Sequence, residues 1–554
     1  MKKNIFVVLI KAYLAFSAFN LYGQTQPVKY WIPFIDKSNN PFSIERPLEF
    51  LSYRALLRRE KQSIAITVTD LPVNPFYIDS IKRMGFKIIN SSKWLNGVVV
   101  STDDTSLLEK IKKIDFVKQS IKQVSCYPNF QLQKQGIKQW EKNLEGFPDY
   151  GNSENQITML KGDYLHRQGY EGEGMLIAIE DAGFTNANNI SSLQNIWISN
   201  RVVAMKDFVK DSLSILEAHS HGTLVFSIIA GILSQVMYGT ATQANFALIR
   251  TEDGGSECII EEYNWACGAE FADSLGADVI NTSLGYSLFN NTSQNHTYMD
   301  MDGKTTPIAI AADIAASKGM LIVVSAGNEG ANKWRRITTP ADAINVLTVG
   351  AVDETGIITN FSSRGPSYDK RVKPDVCAQG LSTVAQSENG SIINVSGTSC
   401  SAPLITGLAT CLWEANPQAS NMEIMEAIRQ GSSQFEHPDS LYGYGIANFL
   451  KSDRILKYGI NPVDNLSVHF NLFPNPATDH FYLEVIRPEN SANESITINF
   501  LDIVGKTLYS EKRNLNESYS ILEFQDFQFF PTGIYTLQIV FPDQIHSLLF
   551  MKTK

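Results

Sequence analysis

Between residues 149 and 455, five apolar runs ("MLIAIED", "FALIRT", "DVINTSLG", "MLIVVSAGN" and "INVLTVGAV") alternate with helical stretches such as "TLVFSIIAGIL", "CIIEEYNWACGAEFADSL" and "IAIAADIAASKG". Runs that are apolar at consecutive positions have no face to offer water. They must lie in a sheet covered by helices on both sides. The pattern predicts an α/β domain of about 300 residues around a parallel sheet, within the range of one large domain. Such sheets place their ligands at the carboxyl ends of the strands, so functional side chains are sought there.

The flanking segments differ. "MKKNIFVVLIKAYLAFSAFNLYG" sets Lys2 and Lys3 before an apolar stretch broken by Lys11, then small residues around Gly23. This is the order of a secretory signal peptide over residues 1–23, too short and too charged for a span. No later run reaches the length of a membrane span, so none is expected in the mature protein. Residues 24–148 predict a small α+β unit. "FYIDSIKRMGFKII" reads as helix then strand, "GVVVST" as strand, "DTSLLEKIKKIDF" as a capped helix and "VKQSI" as strand. Residues 466–554 carry alternating strands with Pro, Asn and Gly turns, predicting a small β-sandwich. The formal net charge of −10 argues against a nucleic-acid binder, which would show a basic face. The six cysteines show no framework spacing, and most are expected to be buried small hydrophobes.

Three segments offer chemistry. "IAIEDAGF" ends a strand with Asp181, "HSHGTLVFSIIAG" puts His221 ahead of a helix, and "SGTSCSAP" puts Ser399 ahead of another. Ser399 alone reads equally as a helix N-cap, with Pro403 in the first turn. As a nucleophile it needs an imidazole to take its proton and a carboxylate to orient that imidazole. "VVSAGNEG" adds Asn328, whose amide can donate to an oxyanion. The chain order Asp, His, Ser argues against the α/β-hydrolases, which run Ser, acid, His and carry G-x-S-x-G. Here Ser401 stands where that motif's second glycine would be.

Together "DAG", "HGT", "NTSLG", "SAGNEG", "FSSRGP", "KPDVCAQG" and "GTSCSAP" resemble the motifs of subtilisin-like serine peptidases over roughly residues 150–450. The resemblance implies a subtilisin-like peptidase domain at 149–455. Asp181 would be the orienting acid, His221 the base and Ser399 the nucleophile. Asn328, with the Ser399 backbone N–H, would form the oxyanion hole. It further implies that Ser283, Leu284 and Gly285, with Ser325, Ala326 and Gly327, flank an extended polypeptide substrate. His219 would line the cleft. The 24–148 unit resembles subtilase propeptides that inhibit until cleaved, here near residues 145–152. "LFPNPATDHFYLEV…GIYTLQI…LLFMKTK" resembles the type A sorting domain of the type IX secretion machinery, implying secretion or a cell-surface location. A monomer without organic cofactor is expected. Structural calcium has no clear motif, since Asp300 and Asp302 of "YMDMDGKT" lack the alternating ligand ladder and read as a solvated turn. The competing reading is a catalytically inactive subtilase fold that binds surfaces.

Three positions depart from the family pattern: Glu180 before Asp181, Leu224 in place of a second histidine after "HGT", and Cys400 after the nucleophile. Alternation along the strand sends Glu180 to the side opposite Asp181. Cys400 predicts sensitivity to thiol reagents.

Overall fold

The computed structural model describes residues 28–125, 149–210, 214–459, 468–478, 480–487, 493–515, 519–524 and 530–553. The expected signal peptide and residues 145–148 of the expected propeptide cleavage region lie outside them. The N-terminal unit is a four-stranded sheet of β1 (Val28–Pro33), β2 (Lys87–Ser92), β3 (Gly97–Thr102) and β4 (Lys122–Gln123), ordered β2-β3-β1-β4. Helices α1 (Tyr53–Lys61), α2 (Pro75–Arg83) and α3 (Ser106–Ile111) accompany it. The strand expected at "VKQSI" is displaced: Val117 makes only an isolated bridge to Phe34, and pairing resumes at Lys122.

The central domain is a seven-stranded, wholly parallel sheet. Its strands are β5 (Leu176–Asp181), β6 (Val202–Asp207), β7 (Asn245–Arg250), β8 (Val279–Thr282), β9 (Leu321–Ser325), β10 (Leu347–Val352) and β11 (Val376–Gln379). The order is β11-β10-β9-β8-β5-β7-β6. The chain runs from β5 to one edge, returns to β7, then crosses to β8 and proceeds to the other edge. The sheet therefore reverses its order beside β5, the position where such sheets open a crevice.

Alternation divides the strand side chains between two cores. Ile177 and Ile179 pack with helices α4 (His221–Ala230) and α7 (Thr398–Ala415). Leu176 and Ala178 pack with α5 (Ile260–Leu275) and α6 (Pro307–Ser317). The faces of α5 and α6 turned to the sheet are alanine-rich, which lets helix and sheet approach closely there.

The N-terminal unit rests on the outside of α5. Asp273 of α5, fully buried, pairs with Arg58 (2.6 Å), Arg59 (2.8 Å) and Lys93 (3.2 Å). Glu270 accepts from Ser92 Oγ and from the backbone N–H groups of Lys93 and Trp94. Two carboxylates thus cap the β2–β3 turn and anchor α1.

After residue 468 the chain forms two antiparallel sheets. One contains His469–Phe473, Phe481–Ile486 and Tyr519–Phe524; the other contains Glu494–Leu501, Thr507–Leu515, Gly533–Val540 and Ile545–Lys552. They share one core that includes Phe481, Phe500 and Phe550, the expected sandwich. Among the described residues no helix is long and apolar enough to cross a membrane.

The cysteine expectation needs one correction. Cys267, Cys377, Cys400 and Cys411 are free and buried, but Cys258 is disulfide-bonded. Spacing within the peptidase domain could not reveal this, because Cys258 precedes α5 and packs among Trp31, Val99 and Val124 of the N-terminal unit. Cys126 lies outside the described residues.

Candidate active site

Asp181 ends β5 at the point of strand-order reversal, and its side chain follows the Ile177–Ile179 side of the sheet. His221 opens α4 on that side. Its Nδ1 lies 2.8 and 3.0 Å from the two Asp181 oxygens, with Asp181 almost fully buried and the imidazole 30 % exposed. The Asp181 Oδ1 also accepts from the Ala182 N–H at 2.8 Å, which fixes the carboxylate plane. Burial works against a charged imidazole here. The charge and hydrogen bond of Asp181, with a smaller contribution from Glu252, outweigh it and raise His221 to about 9. His219 sits beside the pair, its Nδ1 accepting from the His221 backbone N–H at 3.2 Å. Burial, then the neighbouring His221, holds it below the ordinary histidine range.

Ser399 is not a helix cap. Gly397 occupies the N-cap of α7, and Ser399 is the second helical residue. Pro403 correspondingly lies inside the helix rather than in its first turn. An ordinary residue at 403 would donate its N–H to the Ser399 carbonyl, four positions back. Proline cannot, and Ser283 Oγ supplies the missing donor at 3.1 Å. Ser283 is itself held by Asn281 Nδ2 (2.9 Å), and Asn281 Oδ1 accepts from Thr406 Oγ1 (2.8 Å). A buried polar chain from the "NTSLG" strand end therefore braces the first turn of α7.

Asn328 Oδ1 accepts from the Thr398 N–H at 2.9 Å and from Thr398 Oγ1 at 3.1 Å. With its oxygen so engaged, the Asn328 amide nitrogen remains to donate, and both amide atoms lie near the space above Gly397. A carbon attached to Gly397 Cα would stand 2.9 Å from Ser399 Oγ and 3.5 Å from Asn328 Nδ2. The missing side chain leaves a gap of atomic size within reach of both a hydroxyl and an amide donor. A reacting centre needs this placement. Among the described residues no hydrogen bond joins Ser399 Oγ to His221. Such bonds are often long before substrate binds.

The other expected residues surround this gap. Ser325 Oγ lies 3.4 Å from the Leu284 carbonyl, and Gly327 N–H donates to Thr398 Oγ1 at 3.2 Å, so segments 283–285 and 325–327 flank the start of α7. Leu224 packs on the core under α4. Glu180 faces α5, as alternation requires, and is completely buried. Cys400 is buried, and burial, only partly offset by a hydrogen bond with Ser399, pushes its thiol up to about 12. A thiol so protonated and enclosed is a poor nucleophile, contrary to the expected reagent sensitivity. Asp302 accepts from the N–H groups of Lys304 and Thr305, and Asp300 caps its own turn.

The comparisons with known proteins agree in extent. Residues 172–445 match the Subtilase family, residues 29–140 the Bacteroidota peptidase S8 propeptide domain, and residues 471–547 a secretion system C-terminal sorting domain. The serine protease AprX of Bacillus subtilis is 26% identical over 307 residues, covering 50% of this chain and 65% of AprX. Subtilisin BL of Lederbergia lenta is 25% identical over 293 residues, covering 53% of this chain and 95% of its own length. The solved structure of MycP1 from Mycobacterium smegmatis is similar over 59% of this chain and 90% of its own, with 21% identity and a TM-score of 0.43. The sorting domain marks the chain for export to the medium or the cell surface. Residues 172–445 therefore belong to the subtilase family, set between a peptidase S8 propeptide domain and a secretion-system sorting domain.

Proposed function

We propose that the protein is a secreted serine endopeptidase acting through an acyl-enzyme on Ser399. His221 takes the Ser399 Oγ proton as that oxygen attacks the scissile carbonyl carbon. Asp181 holds the imidazole in the tautomer that leaves Nε2 free to accept, and stabilises the imidazolium that forms. Asn328 Nδ2 and the Ser399 N–H, at the positive end of α7, receive the oxyanion. His221 then protonates the leaving amine, and water repeats the sequence on the acyl group. Segments 283–285 and 325–327 bind a polypeptide substrate as an added strand and fix its register.

The observation that carries this reading is the Asp181–His221 pair at 2.8 Å, at the strand-order reversal, with α4 packed against α7. A fluorophosphonate probe should label the processed wild type at Ser399 and leave Ser399→Ala unlabelled. An unlabelled wild type would favour the inactive surface-binding alternative. The N-terminal unit acts as the inhibitory propeptide, held by its contacts to Asp273 and Glu270 and cleaved near residues 145–152. The type IX machinery exports the protein through the C-terminal sandwich. Deleting residues 466–554 should abolish release into the medium.

A further inference from the structure

Three neighbouring strands end in a row of charge. Asp181 of β5, Arg250 of β7 and Asp207 of β6 are the last residues of their strands and lie in register across the sheet. Phe246 and Leu248 of β7 share the core of Ile177 and Ile179, so alternation puts Arg250 on the Asp181 side. Arg250 is 2 % exposed. Its Nε donates to the Ala182 carbonyl at 2.9 Å and its Nη1 to Asp207 Oδ2 at 3.1 Å, while Nη2 lies 3.5 Å from Asp253 Oδ1. Asp207 is itself fixed, because its Oδ1 accepts from the N–H groups of Val209 (2.7 Å) and Lys210 (3.1 Å). A buried ion pair of this kind returns little net stability, since desolvation offsets the attraction. What the pair adds is direction: it aims the guanidinium at the residue that follows Asp181.

The inference rests on the peptidase reading of Ser399, in which Asp181 must orient the His221 imidazole. We propose that Arg250 is a positioning residue that acts through Asp181. Ala182 is held from both ends: its N–H donates to Asp181 Oδ1 at 2.8 Å, and its carbonyl accepts from Arg250. Thr251, next to Arg250 in the chain, donates its N–H to the Asp181 carbonyl at 3.1 Å. The Gly183 carbonyl accepts from the Gly222 N–H at 3.0 Å, beside His221. Arg250 thus ties the turn that carries the carboxylate to the sheet edge at Asp207. Without it the Ala182 backbone is free to rotate, its N–H leaves Oδ1, and the carboxylate no longer meets Nδ1 squarely. The imidazole then loses the tautomer and orientation that Ser399 Oγ requires.

The test is a double-mutant cycle with Asp181→Asn, on enzyme whose propeptide is cut by an added site-specific peptidase at an engineered site. Activity is read as kcat per folded molecule, the folded fraction being taken from the urea transition. Arg250→Met keeps the length of the side chain and removes every donor. It should lower kcat by about 10- to 100-fold, the cost of a small misplacement of a catalytic group, and leave KM within about twofold. In the Asp181→Asn background the carboxylate is already gone, and the same substitution should change kcat by less than about twofold. A merely structural role would lower the folded fraction and cost the same in both backgrounds. If Arg250→Met does not fold, Arg250→Gln, shorter and uncharged, enters the same cycle. Equal losses in the two backgrounds, or a single variant within about twofold of wild type, overturn the inference while fluorophosphonate labelling of wild type stands. A wild type that fails to label overturns the peptidase reading, and this inference with it.

Discussion

Glu180 should make the stability of this protein fall as pH rises. Its carboxyl is completely buried on the α5 side of β5, and neither oxygen has a hydrogen-bond partner. Space for it exists because residue 268 of α5 is glycine; a carbon there would be 2.6 Å from Oε2. The nearby Thr251 hydroxyl is equally unpaired. Burial raises the Glu180 carboxyl well above the ordinary glutamate value of about 4.5, so its neutral form is favoured in the folded protein. The unfolded chain releases the proton above about 4.5, and each further pH unit then penalises folding by about 1.4 kcal/mol until the folded group ionises too. The contribution is fully present below the unfolded value and is lost as pH rises toward the folded one. Glu180→Gln keeps the shape and the buried polar character but cannot titrate. Its advantage over the parent should therefore grow as pH rises above the range where the unfolded carboxyl ionises, and stop growing once the folded group ionises too. Urea unfolding in a Ser399→Ala background, which prevents self-digestion, reads this difference through tryptophan fluorescence, with Trp265 buried on α5 as a nearby reporter. Parallel stability curves for the two proteins would mean that Glu180 ionises inside the fold, and would refute the argument.

Other consequences concern the reaction. Because His221 is raised to about 9, kcat/KM should climb roughly tenfold from pH 7 to 8 and level off above about 9. Asp181→Asn should lower the rate by about 10⁴ and move that limb to lower pH; a flat profile between pH 7 and 9 would contradict the assignment. Asn328→Ala should reduce kcat by about 100- to 1,000-fold with little change in KM, measured on any cleaved peptide. Iodoacetamide at pH 8 should leave turnover within about twofold of the untreated enzyme, since the Cys400 thiol is buried and protonated. Rapid inactivation that a Cys400→Ser variant escapes would show otherwise. Asp273→Ala removes the carboxylate shared by Arg58, Arg59 and Lys93, leaving Arg59 its second pair with Asp70. It should weaken propeptide docking by about 3–5 kcal/mol, seen as earlier release of the propeptide after processing.

Much of the site was legible because its parts are local. Asp181 ends an apolar run, His221 and Ser399 precede helical runs, and chain order alone separates the proposed triad from the α/β-hydrolase one. The parallel sheet followed from strands with no polar face. The orientation of Glu180 followed from a period of two. Each of these is a property of a few consecutive residues, fixed by backbone geometry.

What escaped was set by groups distant in sequence. Pro403 looked like a first-turn proline because the helix start could not be placed to within a turn. Only the packed structure shows Ser283 taking over the hydrogen bond that proline forfeits. The Cys258 disulfide was hidden because its surroundings include strands of the N-terminal unit. Sequence determines which residues can form strands, caps and reactive ends, since those depend on neighbours a few bonds away. Tertiary structure alone decides which oxygen fills which gap, because steric exclusion and burial depend on atoms that the chain brings together only after it has folded.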